Sequence, residues 1–342
     1  MRVAHAVVLA SLLPKNDFWP EGASTARALT PIANRLLLEH VLDGLDEAGM
    51  DTVAIVVRAV DRAAVEDAVG QAAGRPRVSV FDSQAGTLAE VLDSSGLARF
   101  IGREPFFVQD ADVLFYEPLG PSAVQFADRG LDALVVRIGG AIGQPATGRT
   151  ADDRVRPLGA VCGCFLRPEL LADASAGAAR DLATLSRWLR ADRNRIAVQT
   201  LDGSVPLRGG REALLEANRR ALDALREQPL EGLVEDSEVQ GRVVVDPTAR
   251  IVRYVIRGPV VVGSRAVLQD AYVGPYTSIG PDVVVEGSEI EHSIVLTGAC
   301  VRFVGTRLEG SVVGRDAQIG RRFAVPHSMR VVLGDRAEVT LY

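Results

Sequence analysis

Lysine is all but missing from this chain. Lysine and arginine together number 38 in 342 residues, and Lys15 is the one lysine. A mechanism needing several compact ammonium groups is therefore excluded, because arginine's planar fork is no substitute for a point charge. Cysteine is scarce as well. Three residues, Cys162, Cys164 and Cys300, cannot form a disulfide framework and suit a reducing compartment. Cys162-Gly163-Cys164 lies in a strand-like run whose alternate residues share one face. It reads as two core thiols, with a metal-ligating pair as the alternative. No apolar stretch reaches the roughly 20 residues of a membrane span, and the N-terminus has no charged leader followed by a small-residue cleavage site. The formal net charge of −6 argues against a nucleic-acid groove or an anionic membrane as partner. A cytoplasmic location is the expectation.

Hydrophobic residues are plentiful at 47%, enough for a large core and two domains. From residue 4 to about 228, apolar runs alternate with helical patterns, the grammar of an α/β layer fold. Strands are expected at 5–10, 52–58, 77–81, 105–109, 132–137, 159–166 and 196–201. Leu37, Val41, Leu42 and Leu45 mark an amphipathic helix ending near Gly49, and "REALLEANRRALDALR" (211–226) marks another. The boundaries expected are an α/β domain over 1–228, a linker over 229–240 and a second domain over 241–342. In that second domain Val255, Val261, Val267, Val273, Ile279 and Val285 recur every six residues. Glycine follows in Val273-Gly274, Ile279-Gly280, Val313-Gly314, Ile319-Gly320 and Leu333-Gly334. A six-residue aliphatic period is the signature of a parallel β-helix built from hexapeptide repeats, with glycine expected to relieve each corner. A solenoid of this kind leaves edges that a partner or another domain must cover.

The first apolar run, Ala6 to Ala10, leads into a turn with no glycine before Gly22. Nucleotide-binding folds usually place a glycine-rich phosphate cradle there. Further along stand "LTPIANRLLLEHVLDGLDEAGMDTVAIVV", "GREPFFVQDADVLFYE" and "LLEANRRALD". The C-terminal half contains "VGPYTSIG", "SEIEHSIVL", "EGSVVGRDAQIG" and "VVLGDRAEV". In these segments the chain resembles the sugar-1-phosphate nucleotidyltransferases, and within them the long-form glucose-1-phosphate thymidylyltransferases.

That resemblance implies a Rossmann-like, mostly parallel α/β domain followed by a left-handed β-helix. It also implies a chemistry, in which a sugar phosphate attacks the α-phosphate of a nucleoside triphosphate and releases pyrophosphate. Such catalysis rests on positioning and on neutralising phosphoryl charge, with Mg²⁺ held by two aspartates. The resemblance carries over Lys15 and Arg27 as the cations of the catalytic set, Gly86 and Thr87 as a base-reading turn, and Asp112, with Asp110 beside it, as metal ligands.

The rest of the apparatus departs from the pattern. Ser11 to Phe18 has no glycine and no arginine, and Pro14 removes an amide donor. The second metal carboxylate falls at Leu207, a side chain that cannot ligate a hard cation. Between Arg137 and Val161 no glutamate-lysine pair for the sugar phosphate is found. Single preorganised groups of this kind contribute about 3–4 kcal/mol each, so losing even two slows the chemistry by orders of magnitude.

The expectation is thus a nucleotidyltransferase-like protein without conventional transfer, serving as a structural or regulatory subunit or as a repurposed ligand-binding homologue. Its expected partners are an active paralogue, or its own copy through the β-helix, with a small phosphate compound as a possible ligand. The alternative is an active, divergent sugar- or cyclitol-phosphate enzyme using Mg²⁺. A remote third reading makes His292 or His327 the base of a hexapeptide-repeat acyltransferase. Leu12, Leu13, Phe18 and Trp19 form an apolar cluster suited to filling the former triphosphate site.

Overall fold

The computed structural model describes residues 2–10, 27–70, 76–85, 87–139, 160–170, 179–191, 195–202, 205–207, 210–226 and 233–320. The expected positions Lys15, Leu12, Leu13, Phe18, Trp19, Gly86, His327 and Gly334 lie outside them, as does the side chain of Arg27.

The α/β half runs in chain order as β1 (His5–Leu9), a hairpin of β2 (Pro31–Ile32) and β3 (Arg35–Leu36), α1 (Leu37–Glu47), β4 (Thr52–Val57) and α2 (Arg62–Gly70). There follow β5 (Arg77–Asp82), α3 (Leu88–Asp93), α4 (Ser95–Ile101), β6 (Phe106–Asp110), β7 (Val113–Leu114) and α5 (Gly120–Asp128). β8 (Ala133–Gly139), β9 (Val161–Leu166), α6 (Leu182–Ala191), β10 (Ile196–Asp202), β11 (Val205–Pro206) and α7 (Arg211–Asp223) complete it. All seven strands expected from apolar runs enter one sheet, ordered β10-β8-β9-β6-β1-β4-β5. Pairing is parallel except at β9, which runs antiparallel to both β6 and β8.

In the central strands the runs are continuous rather than alternating because helices cover both faces of the sheet. One core packs α1, α5 and α7 with Ala6, Val8, Phe107, Leu134 and Val136. The other packs α3, α4 and α6 with Val7, Leu9, Phe106, Val108 and Val135. Gly49 has φ +80° and donates its amide to Asp46, which ends α1 where the sequence indicates.

Cys162 and Cys164 are both buried core thiols, as expected, but they do not share a face. An irregularity in the β8–β9 register at Val136/Arg137 breaks the alternation, so Cys162 sits in one core and Cys164 in the other. The two thiols do not share a face and do not form a metal pair. Burial alone pushes the Cys164 thiol far above its ordinary range.

From Leu233 onward the chain forms parallel strands stacked into a three-sided β-helix. Pairing begins at Leu233–Glu235 and Glu238–Gln240, inside the stretch read as a linker. Arg250 pairs with Val267, and Val267 with Val284, a rung of 17 residues. The rung is one short of three hexapeptides, and this shifts the phase. The interior is lined by Ile251, Ile256, Val262, Leu268, Val273, Ile279, Val285 and Ile290, in steps of five, six and six.

The expected set is therefore half displaced. Val273, Ile279 and Val285 point inward, but Val255 and Val267 are half-buried outside the lumen, and Val261 packs on Leu222 and Ala33 of the α/β domain. Glycine's role differs too. Left-handed corners fall on Arg253, Asp270, Gly287 and Phe303, and again on Arg265, Asp282, Gly298 and Asp316. Gly280 is needed for a different reason: a Cβ there would meet the Thr297 amide of the next rung at 2.8 Å.

The two halves share a seam. Ile294 and Leu296 of the β-helix belong to the same buried cluster as α1 and α7. Asn218 of α7 is fully buried there, and Asn34 donates its side-chain amide to the Ile279 carbonyl at 2.6 Å.

Candidate active site

Parallel α/β sheets gather their functional groups beyond the carboxyl ends of the strands. In this sheet that edge carries Asp110, the last residue of β6, paired in register with Leu9 of β1. The chain then turns through Ala111 and Asp112 into β7. Asp110 is 8% exposed and Asp112 is fully enclosed.

β7 pairs antiparallel with β11, Val113 against Pro206 and Leu114 against Val205. This ladder places the next residue, Leu207, directly against Asp112, and the Leu207 amide donates to the Asp112 carbonyl at 2.8 Å. Leu207 is itself buried, at 6% exposure. The resemblance implies a second metal carboxylate at this position, where the chain has leucine. Mg²⁺ requires an oxygen-rich, near-octahedral shell, and a buried leucine contributes none of it. Among the described residues no three His, Cys, Asp or Glu side chains converge on a common point. Among the described residues, Asp112 and Leu207 do not supply the pair of carboxylates that the resemblance implies for Mg²⁺.

Thr87 begins α3, and its hydroxyl is already used. Its Oγ1 accepts the Glu90 amide at 3.3 Å, an ordinary N-cap. The two preceding amides are used as well, Leu88 donating to the Arg180 carbonyl and Ala89 to the Ala179 carbonyl. The open N–H groups of a helix start are what ordinarily hold an anion or a base edge. At this turn all three are satisfied by the chain itself. Arg27 opens a short 3-10 turn, Arg27–Leu29, whose Ala28 and Leu29 are core residues.

Two residues at or near this edge carry information that the sequence did not yield. Arg137, near the end of β8, is a guanidinium only 8% exposed within an otherwise apolar strand. Its signal was a single charge in the run "ALVVRIG". Asp202, the last residue of β10, lies across Gly139, where an added Cβ would run into its carboxylate.

A small cavity between α1 and the 113–119 segment is lined by His40, Leu45, Gln109, Tyr116 and Leu119. It encloses about 60 Å³, well below the roughly 300–1,000 Å³ of ligand pockets. Burial holds the His40 imidazole below its ordinary value, opposed by its bond to the Ile32 carbonyl. Burial pushes the Tyr116 phenol up, and its hydroxyl donates to the Ala217 carbonyl at 3.0 Å.

His292 is a solenoid corner, with φ +45° and its ring 6.2 Å from that of Tyr276. It takes part in rung stacking. No helix of the described residues is long and apolar enough to cross a membrane.

A mixed sheet with an acid-bearing turn at its carboxyl edge, continued by a parallel β-helix, is the architecture of a two-domain sugar-phosphate nucleotidyltransferase. Comparison with known proteins agrees. Over 350 residues the chain is 28% identical to the glucose-1-phosphate thymidylyltransferase of Streptomyces griseus, covering 93% of this chain and 94% of that one. Over 129 residues it is 40% identical to the enzyme of the same name from Streptomyces antibioticus, 37% of this chain and 36% of the other. Among solved structures, the UDP-glucose pyrophosphorylase of Acinetobacter baumannii superposes with a TM-score of 0.52 at 15% identity, covering 65% of this chain and 94% of that one. No family model matches. Over nearly its whole length the chain is similar to a glucose-1-phosphate thymidylyltransferase, and about two thirds of it shares the fold of the solved pyrophosphorylase.

Proposed function

We propose that this protein keeps the nucleotidyltransferase scaffold but no longer performs conventional sugar-1-phosphate nucleotidyl transfer, and that it acts as a regulatory or structural subunit. The observation that carries this reading is the contact between Leu207 and the turn of Asp112. A phosphoryl-transfer site needs cations where negative charge gathers. Here the residue whose backbone pairs with Asp112 is a leucine, and the amides that start α3 are spent on the 179–180 segment and on Thr87. The sequence of residues 11–18 supports the same conclusion, since it lacks the glycines that bring main-chain amides close to phosphate.

The test is pyrophosphate release, assayed across nucleoside triphosphates and sugar or cyclitol phosphates with Mg²⁺, and with Asp112→Ala as control. The expected result is no release above the control in any pairing. Release that depends on Asp112 overturns the reading and makes the protein an active, divergent transferase.

A further inference from the structure

Three separate parts of the chain meet on one buried side chain. Asn218 sits in the middle of α7 and is fully enclosed. Its Oδ1 accepts the Ala33 amide at 3.0 Å and the Ser278 hydroxyl at 2.6 Å. Its Nδ2 donates to the Tyr276 carbonyl at 3.2 Å. Both lone-pair positions of the carboxamide oxygen are filled, and one of its two N–H groups is used. Ala33 belongs to the β2–β3 hairpin and Ser278 and Tyr276 to a rung of the β-helix. A second tie, from Asn34 to the Ile279 carbonyl, runs directly between hairpin and rung.

The hairpin is not a passive loop. It follows the Arg27–Leu29 turn, its residues Ala33 and Asn34 are both left-handed at φ 48° and 60°, and the Leu37 amide closes on the Thr30 carbonyl. Two non-glycine residues in that region persist only where surrounding contacts hold them. The contacts that do so come from α7 and from the solenoid.

The geometry points to Asn218 as a positioning residue that joins the β-helix to the α/β domain, so that the rung at Tyr276–Ile279 sets the conformation of the β2–β3 hairpin. A displacement of that rung, as when a second protein docks on the solenoid, reaches the hairpin through this carboxamide. Coupling of this kind needs a chain of buried contacts with defined partners. The chain here is short: Ser278, Asn218, Ala33. The inference holds whether or not the α/β domain catalyses anything.

Hydrogen exchange of the full-length protein, followed by mass spectrometry, tests it. Ser278→Ala removes the hydroxyl that fixes the Asn218 oxygen while leaving Asn218 in place. Ser293→Ala removes an equally buried hydroxyl from the β-helix, one whose partners, the Glu291 carbonyl and the Ser311 amide, lie within the solenoid. The expected result is at least a tenfold rise in exchange over residues 30–37 in Ser278→Ala, and no change there in Ser293→Ala. If the two variants affect the hairpin equally, or neither does, Asn218 is only a packing residue and the inference falls.

Discussion

At the scale of single residues, Leu207 and Asp112 decide most. Leu207→Asp places a second carboxylate against the turn that carries Asp112, in a buried position. Two like charges without a cation repel, and desolvation penalises both. The variant should lose stability on the order of 3 kcal/mol. Mn²⁺ should restore it, and Mn²⁺ binding should appear by electron paramagnetic resonance where the parent shows none. A parent protein that binds Mn²⁺ as well as the variant would contradict this. Tyr254 gives an independent check of the fold. It is 2% exposed inside the solenoid, and its hydroxyl has no hydrogen-bond partner among the described residues. Removing an unsatisfied buried hydroxyl relieves a desolvation cost, so Tyr254→Phe should leave the melting temperature unchanged or raise it. A clear drop would mean the hydroxyl is bonded.

At the scale of elements, the strands of the α/β sheet were readable because parallel strands buried on both faces read as unbroken apolar runs. Leu207 is singled out from the run Val205-Pro206-Leu207-Arg208-Gly209, and the β7–β11 ladder sets that residue against the Asp112 turn. Other features were not. In a triplet such as Val260-Val261-Val262 either phase places a valine inside, so the six-residue period could not reveal rungs of 17. The bulge opposite Arg137 is a register effect between strands, invisible in the one strand that carries the cysteines. The capping of α3 by Thr87, and the use of its amides by residues 179–180, are tertiary events with no local signature.

The rung geometry makes a prediction of its own. Gly280→Ala should cost about 1–3 kcal/mol by overpacking against the next rung, whereas a glycine needed only for its turn would tolerate alanine at negative φ. Denaturant midpoints distinguish the two. On α7, Glu216 pairs with Arg219 and Arg220. The Arg219 hydrogen bonds hold its carboxyl down to about 2, with burial opposing and Arg220 adding to the effect. A depressed carboxyl stabilises the fold fully above its ordinary value of 4.5 and loses that contribution as pH falls toward 2. Glu216→Gln should therefore flatten the pH dependence of stability between about pH 4.5 and 2 and lower stability at neutral pH. An unchanged acid limb would show that the pair contributes nothing.

At the scale of the whole molecule, a seven-stranded sheet with a core on each face, a β-helix and a buried seam between them are formed. The proposal concerns the carboxyl edge of that sheet, where Leu207 stands against the turn of Asp112. The central claim is that this edge no longer grips a nucleoside triphosphate with its metal. Calorimetric titration of a nucleoside triphosphate with Mg²⁺ into the full-length protein tests it most directly. The account predicts no saturable heat at concentrations up to the millimolar range. A saturable isotherm with micromolar affinity, lost in Asp112→Ala, would contradict it.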